Sequence, residues 1–413
     1  MRSEPLRLPS LSFVTALARS ERARNALTTN ALSSLGNFGL TFAIVRSADL
    51  TTVGKFALAF AIYAFATAIA KAGITESVLS AIRGVRRRED AAHEVSLVGL
   101  VLGSAIVVGG LLAGSPFIIL TGVAMHGILV YDFIKVTHMA LLESRVALRQ
   151  ELAWTGLTFA GVAGAVTGVI DVVALYGVWA VSCAVIGYTS AGVLRIGILP
   201  RWPSSGMETK LTGLYALDQV IGPGAILLTT YLLAGLSGLA VVGALRAAAA
   251  FFSPLTIVST TGHSLGIPLL SRARELGPRH ELRSAVQIAG VQIAVLGPLA
   301  LLITALPLPF LTLVVGANAA PVRMLLLPLA IDAILNVAST VALSGHRAER
   351  AGLRTVLVFA VTAPIRLVII LTGAHYAGAL GAAWATALTA LIGMLAMWWS
   401  YHNVVMRNAA AQS

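Results

Sequence analysis

Arg246 stands inside the run GALRAAAAFFSP (residues 243–254), in a hydrophobic stretch with no other charged side chain around it. A cation there costs roughly 2.5–3.5 kcal/mol if it sits at a bilayer centre. Arg366 is placed in the same way. A guanidinium cannot lose its proton in a protein, and its forked N–H donors match the oxygens of a phosphate. Arg246, Arg366, Lys71 and Arg46 are therefore candidate cations for an anionic group such as a diphosphate, with Arg46 at the expected outer end of the first span. The membrane-depth acids are Glu76, Asp132, Asp218 and Asp332, and the remaining cations are Lys135 and Arg323. Asp132 and Lys135 are three residues apart on one helix face, a spacing that pairs them. Asp332 and Arg366 could pair between helices. Glu76, Asp218 and Arg323 fall near span ends, where a side chain reaches interfacial water.

These side chains must be carried by membrane spans. The 413-residue chain is 57% hydrophobic and 11% charged, and its mean hydropathy is +0.88. Soluble domains carry about 25% charged residues, so the composition implies an all-α polytopic membrane protein. Apolar runs of spanning length recur to give about twelve transmembrane helices, among them 54–82, 152–171, 236–262, 353–373 and 377–400. Basic residues crowd alternate connections, such as RGVRRRED, SRARELGPRHELR and GHRAERAGLR. The opposite connections, such as LLAGSP and GAHYAG, are nearly bare. This asymmetry places both termini in the cytoplasm.

The expected organisation is an N-terminal cytoplasmic or interfacial arm (1–26), a first lobe of about six helices (27–196), a cytoplasmic linker (197–210), a second lobe (211–402) and a cytoplasmic tail (403–413). The net charge of +12 is spread over loops, which suits anionic lipid and excludes nucleic acid as a partner. The first residues lack the long apolar core and cleavage site of a secretory signal. The single cysteine, Cys183, forms no disulfide framework.

Several motifs mislead. GHSLG (262–266) matches the serine-hydrolase elbow, but it follows a membrane helix, not a strand. No Walker sequence, HExxH or dinucleotide fingerprint is present. His126, His138, His263 and His346 are scattered, and no metal or other cofactor is expected. Proline is concentrated in the second half, at Pro223, Pro254, Pro298, Pro328 and Pro364. Gly222, Pro223 and Gly224 form the strongest hinge signal and predict a bend in the seventh span.

A shift of 189 residues lays the first half on the second: Gly54 meets Gly243, Gly73 meets Gly262 and Arg83 meets Arg272. Parallel repeats of this kind occur in transporters. The segment IVRSADLTTVGKFALAFAIYAFATAIAKAGITESVLSAIRG resembles the start of polysaccharide transporters in the multidrug/oligosaccharidyl-lipid/polysaccharide (MOP) superfamily. Arg46, Asp49, Gly54, Gly73 and Ile74 carry the likeness. The stretch from LDQVIGPGAILL to IPLLSRAR is similar to their seventh and eighth helices. The sequence departs from the pattern where SAD replaces Leu-Gly after Arg46, and where Lys55 adds a cation.

The resemblance implies a MATE-like fold of two pseudo-symmetric bundles. It also implies a flippase that moves polyprenyl-diphosphate-linked saccharides across the cytoplasmic membrane by alternating access. Glycosyltransferases or a polymerase of the same pathway would be its partners, beside membrane lipids. Asp132, Asp218 and Asp332 are then candidates for coupling to Na⁺ or H⁺. Two alternatives stay open: a cation-coupled exporter of small molecules, and an integral-membrane glycan-modifying enzyme.

Overall fold

The computed structural model describes residues 21–71, 74, 88–140, 144–201 and 209–412, and the described residues form helices and short turns without a strand. The first lobe contains α1 (Glu21–Ser47), α2 (Leu50–Ala70), α3 (Arg88–Leu112), α4 (Pro116–Ala140), α5 (Ser144–Val166) and α6 (Val172–Val193). The second contains α7 (Thr209–Ser237), α8 (Leu239–Ala250), α9 (Ser253–Glu275), α10 (Pro278–Thr304), the short α11 (Leu308–Val315), α12 (Ala319–Ala348) and α13 (Gly352–Gln412). Among the described residues, eight helices are long and apolar enough to cross a membrane. With hydropathy this high, the chain is a multi-pass membrane protein.

Local chemistry sets the ends of these helices. Asp49 caps α2 by accepting from the Thr52 amide at 2.7 Å, and Asp171 caps α6 by accepting from Ala174 at 2.7 Å. The hydrogen bonds Asp49 accepts from Thr52 hold its carboxyl below the ordinary carboxylate range. In α13, Ala377 and Gly378 leave helical geometry, with Gly378 at φ 56°. Glycine has no Cβ to clash in that region. This break lies where the sequence separates the last two spans.

Three expectations change. The run 236–262 is not one rod: the helix is interrupted at Phe251–Phe252, and Pro254 begins α9. Proline cannot donate the interior bond that would continue α8 smoothly, but it suits a first helical turn. α5 starts at Ser144, not near 152, so part of the basic stretch ESRVALRQ is already helical. Residues 403–412, expected as a tail, continue α13. By contrast, α7 is continuous through Gly222, Pro223 and Gly224, and Pro298, Pro328 and Pro364 also lie within helices. Glu76, Gly73 and Arg83 lie outside the described residues, as do the side chains of Asp218 and Pro223.

In the first lobe α4 packs on α3 and α6, and α5 packs on α1 and α6. In the second, α12 packs on α9, α10 and α13, while α13 packs on α7. Helix α2 packs on α4 of its own lobe and also lies along α8 and α7 of the second, joining the lobes. One buried apolar cluster runs through this junction, from Phe56 to Ala247, Phe252 and Leu326.

Candidate functional site

Two cavities meet in the second lobe. The first, of about 290 Å³, is lined by α2, α7, α8, α12 and α13. It receives Arg246, Asp332 and Arg366 together with Thr229, Thr230 and Thr386. The second, of about 450 Å³, shares Ile226 and Arg366 with the first. Its α12 lining residues, Asn336, Ser339, Leu343 and Arg347, advance by helical steps from the level of Asp332 toward the α12–α13 turn. That turn belongs to the basic connection GHRAERAGLR, so the second cavity runs toward the face expected to be cytoplasmic.

The helices fix the cations in different ways. Arg246 projects from α8 across the lobe boundary, with its guanidinium carbon 4.2 Å from the centre of the Phe60 ring and 5.7 Å from that of Phe56. Both rings belong to α2. An aromatic face attracts a cation, by about 2 kcal/mol when the pair is desolvated. Among the described residues its one hydrogen bond is long, 3.5 Å from Nη2 to the Thr41 hydroxyl of α1. Arg246 Nε and Arg366 Nε are buried and have no partner among the described residues. Asp332 accepts from Asn336 Nδ2 at 2.9 Å and is close enough to feel the charge of Arg366. No ion pair within 4 Å forms between Asp332 and Arg366. The interhelical pair is thus a neighbourhood, not a salt bridge. Among the described residues, the cavity carries two guanidiniums against one carboxylate.

The other candidates lie elsewhere. Lys71 is exposed at the end of α2, and Arg46 is exposed at the α1–α2 turn; neither lines the two cavities. Arg323 is exposed near the start of α12. Asp132 and Lys135 do approach, at 3.9 Å, but the tighter partner of Lys135 is Glu151 at 3.3 Å. Glu151 is fully buried and also accepts from the Tyr131 hydroxyl at 2.7 Å. Glu151 falls one residue before the span expected at 152–171 and so is absent from the sequence candidates. The signal was present: Ala147, Gln150, Glu151, Trp154, Thr155 and Thr158 follow one helical face, and all are buried.

The two lobes also fill their interiors differently. The first stacks aromatic rings: Tyr176 on Trp179 at 5.2 Å, Trp179 near Tyr63 at 4.9 Å, and Phe56 near Tyr176 at 5.7 Å. Several of their polar atoms are satisfied inside the bundle. Trp154 Nε1 donates to the Trp179 carbonyl, and Tyr176 shares a hydrogen bond with Thr121. The cavity walls of the second lobe carry threonines, alanines and aliphatic side chains, which leave room.

No protein-family model matches the chain, and no curated protein does. Solved structures do. The lipid II flippase MurJ in an inward closed conformation aligns with TM-score 0.65 at 11% identity, over 94% of this chain and 90% of that one. An inward-facing multidrug resistance MATE family transporter of the MOP superfamily aligns with TM-score 0.62 at 13% identity, over 91% and 95%. A MOP superfamily transporter from Pyrococcus furiosus, described as having a binding pocket of reversed polarity that suggests a different function, aligns with TM-score 0.59 at 16% identity, over 94% and 95%. Across nearly its whole length, this all-helical chain has the MATE-like fold of MOP superfamily transporters.

Proposed function

We propose that the protein is a MOP-type transporter that moves a polyprenyl-diphosphate-linked saccharide across the cytoplasmic membrane by alternating access, serving cell-envelope polysaccharide synthesis. One observation carries the reading: two guanidiniums whose buried Nε atoms have no partner among the described residues line one cavity, and the described lining holds a single carboxylate. Unmet donors at membrane depth are costly unless a ligand or water satisfies them. A diphosphate offers acceptor oxygens and negative charge to both. Phe60 holds Arg246 by its face, a contact an anion can replace without leaving a hydrogen-bond donor behind. The threonine hydroxyls of the same cavity suit the oxygens of a saccharide or phosphate. Glycosyltransferases that supply the carrier-linked sugar, or a polymerase that consumes it, are the partners this reading implies.

The test is flipping of a fluorescently labelled polyprenyl-diphosphate saccharide in proteoliposomes. Arg246→Ala should insert and fold but lose flipping. Undiminished flipping in that variant would remove Arg246 from the site.

A second reading has its own observation. Asp332, held by Asn336 in the same cavity, is the type of group an exporter of cationic small molecules would use with Na⁺ or H⁺. Under it, Asp332→Asn abolishes transport while Arg246→Ala preserves it, the reverse of the pattern expected for the flippase.

A further inference from the structure

The glycines brought into register by the 189-residue repeat touch one another in the structure. A Cβ on Gly54 of α2 would overlap the carbonyl oxygen of Leu239, at the start of α8. A Cβ on Gly243 of α8 would overlap the carbonyl oxygen of Leu50, at the start of α2, and lie 2.9 Å from the Gly54 nitrogen. Leu50 and Leu239 are themselves 189 residues apart. The contact is therefore reciprocal: each helix presents the same position to its counterpart, as across a two-fold axis. Such an approach of backbone to backbone requires residues without side chains.

A second cross-lobe contact closes the same end. Asn318, just before α12, donates from Nδ2 to the carbonyls of Val45 at 2.6 Å and Ala48 at 3.0 Å. These acceptors surround Arg46 at the end of α1, and beside them Gly316 approaches the Arg46 carbonyl. Here Arg46 contributes its backbone, not its guanidinium. One turn below the seam, Arg246 reaches over Phe60 into the cavity. The seam and the Asn318 clasp thus lie between the cavity and the end bearing the α1–α2 and α7–α8 turns. The second cavity runs the opposite way.

We propose that this end is a gate: the Gly54–Gly243 seam and the Asn318 clasp shut the cavity here, and both part when the cavity faces this side. The gate does not depend on which substrate the cavity holds. At the two glycines no side chain stands between the backbones, so this contact can separate as a unit. Any side chain at either glycine wedges it open.

Spin labels read the gate directly. Cys183→Ala removes the native thiol, and Ser47→Cys with Leu236→Cys places labels on the exposed turns of the two lobes. In nanodiscs, double electron–electron resonance should give one short distance for this background. Adding Gly54→Ala and Gly243→Ala should lose the short-distance population in favour of a longer one. Asn318→Ala should lose part of it. Gly109→Ala, where an added Cβ meets nothing within 4 Å, should leave it unchanged. If the double glycine variant does not fold, Gly243→Ala alone and Asn318→Ala supply the same reading. Retention of the full short-distance population in the folded glycine variants, or its equal loss in Gly109→Ala, overturns the proposal.

Discussion

The two lobes handle buried charge differently: the first pairs cation with anion, although Glu151 Oε1 has no hydrogen-bond partner among the described residues, and the second leaves its cations without an ion pair there. In the first, Lys135 lies against Glu151 and near Asp132, Tyr131 supplies a further hydrogen bond, and aromatic rings fill the surroundings. In the second, Arg246 and Arg366 line a cavity, each with a buried Nε that has no partner among the described residues, and the acid beside them, Asp332, is held by Asn336. A charge group enclosed by its partners stabilises a helix bundle. One left short of partners beside a cavity is arranged for something that arrives. Spacing along the chain does not separate the two cases; the difference lies in what the neighbouring helices bring.

The largest test of this contrast removes Glu151. Glu151→Ala leaves Lys135 buried with only the more distant Asp132, and breaking a buried pair costs about 3–5 kcal/mol. A large fall in Tm in detergent is expected, whereas Arg246→Ala should leave Tm near that of the parent. Equal losses in both variants would erase the distinction between the lobes.

On the binding side the order reverses. Arg246→Ala should weaken the carrier-linked saccharide by roughly 10- to 100-fold, the effect of losing hydrogen bonds to a charged group worth about 1.5–3 kcal/mol. Arg246→Lys should recover part of this, since charge returns without the fork. Flipping rates against substrate concentration measure both.

A cycle of Arg366→Ala, Asp332→Asn and the double variant sharpens the cavity side. Neighbouring charges couple by about 0.5–3 kcal/mol. The two share a cavity without a direct ion pair, so the low end is expected. A smaller effect belongs to Tyr131→Phe, which deletes one hydrogen bond to Glu151 and should lower stability by about 1–3 kcal/mol.

The smallest effect lies outside both sets. Asp49 is solvent-exposed, and its carboxyl is held below the ordinary range by the hydrogen bonds it accepts from Thr52. A depressed carboxyl stabilises the fold above its unfolded-state value and loses that contribution as pH falls through the folded one. The Tm difference between the parent and Asp49→Ala should therefore be present at neutral pH and vanish in acid. Asp49→Asn, which still caps, should narrow the neutral difference.

The ends of most helices were legible in the sequence because apolar length, caps and loop charge are local properties. Gly378 marks one such boundary, where the chain must leave helical geometry. The interruption at Phe251–Phe252 was not legible: all residues there are apolar, and Pro254 reads equally well as an interior kink or the first turn of a new helix. Arg246 and Arg366 could be selected as candidates because a charge in an apolar run is conspicuous wherever it points. Lys71 met the same criterion, and Arg46 was a candidate at the expected outer end of the first span, yet neither lines the cavities.

The sequence alone determined that this is a helical membrane protein with repeated halves and costly cations at depth, since hydrophobic length and charge are carried by each segment separately. Only the tertiary structure decided which cations share a cavity, that Glu151 closes one charge group, and that the paired glycines of the repeat meet face to face. Those outcomes depend on which helices become neighbours, and neighbours are set by packing across the whole chain.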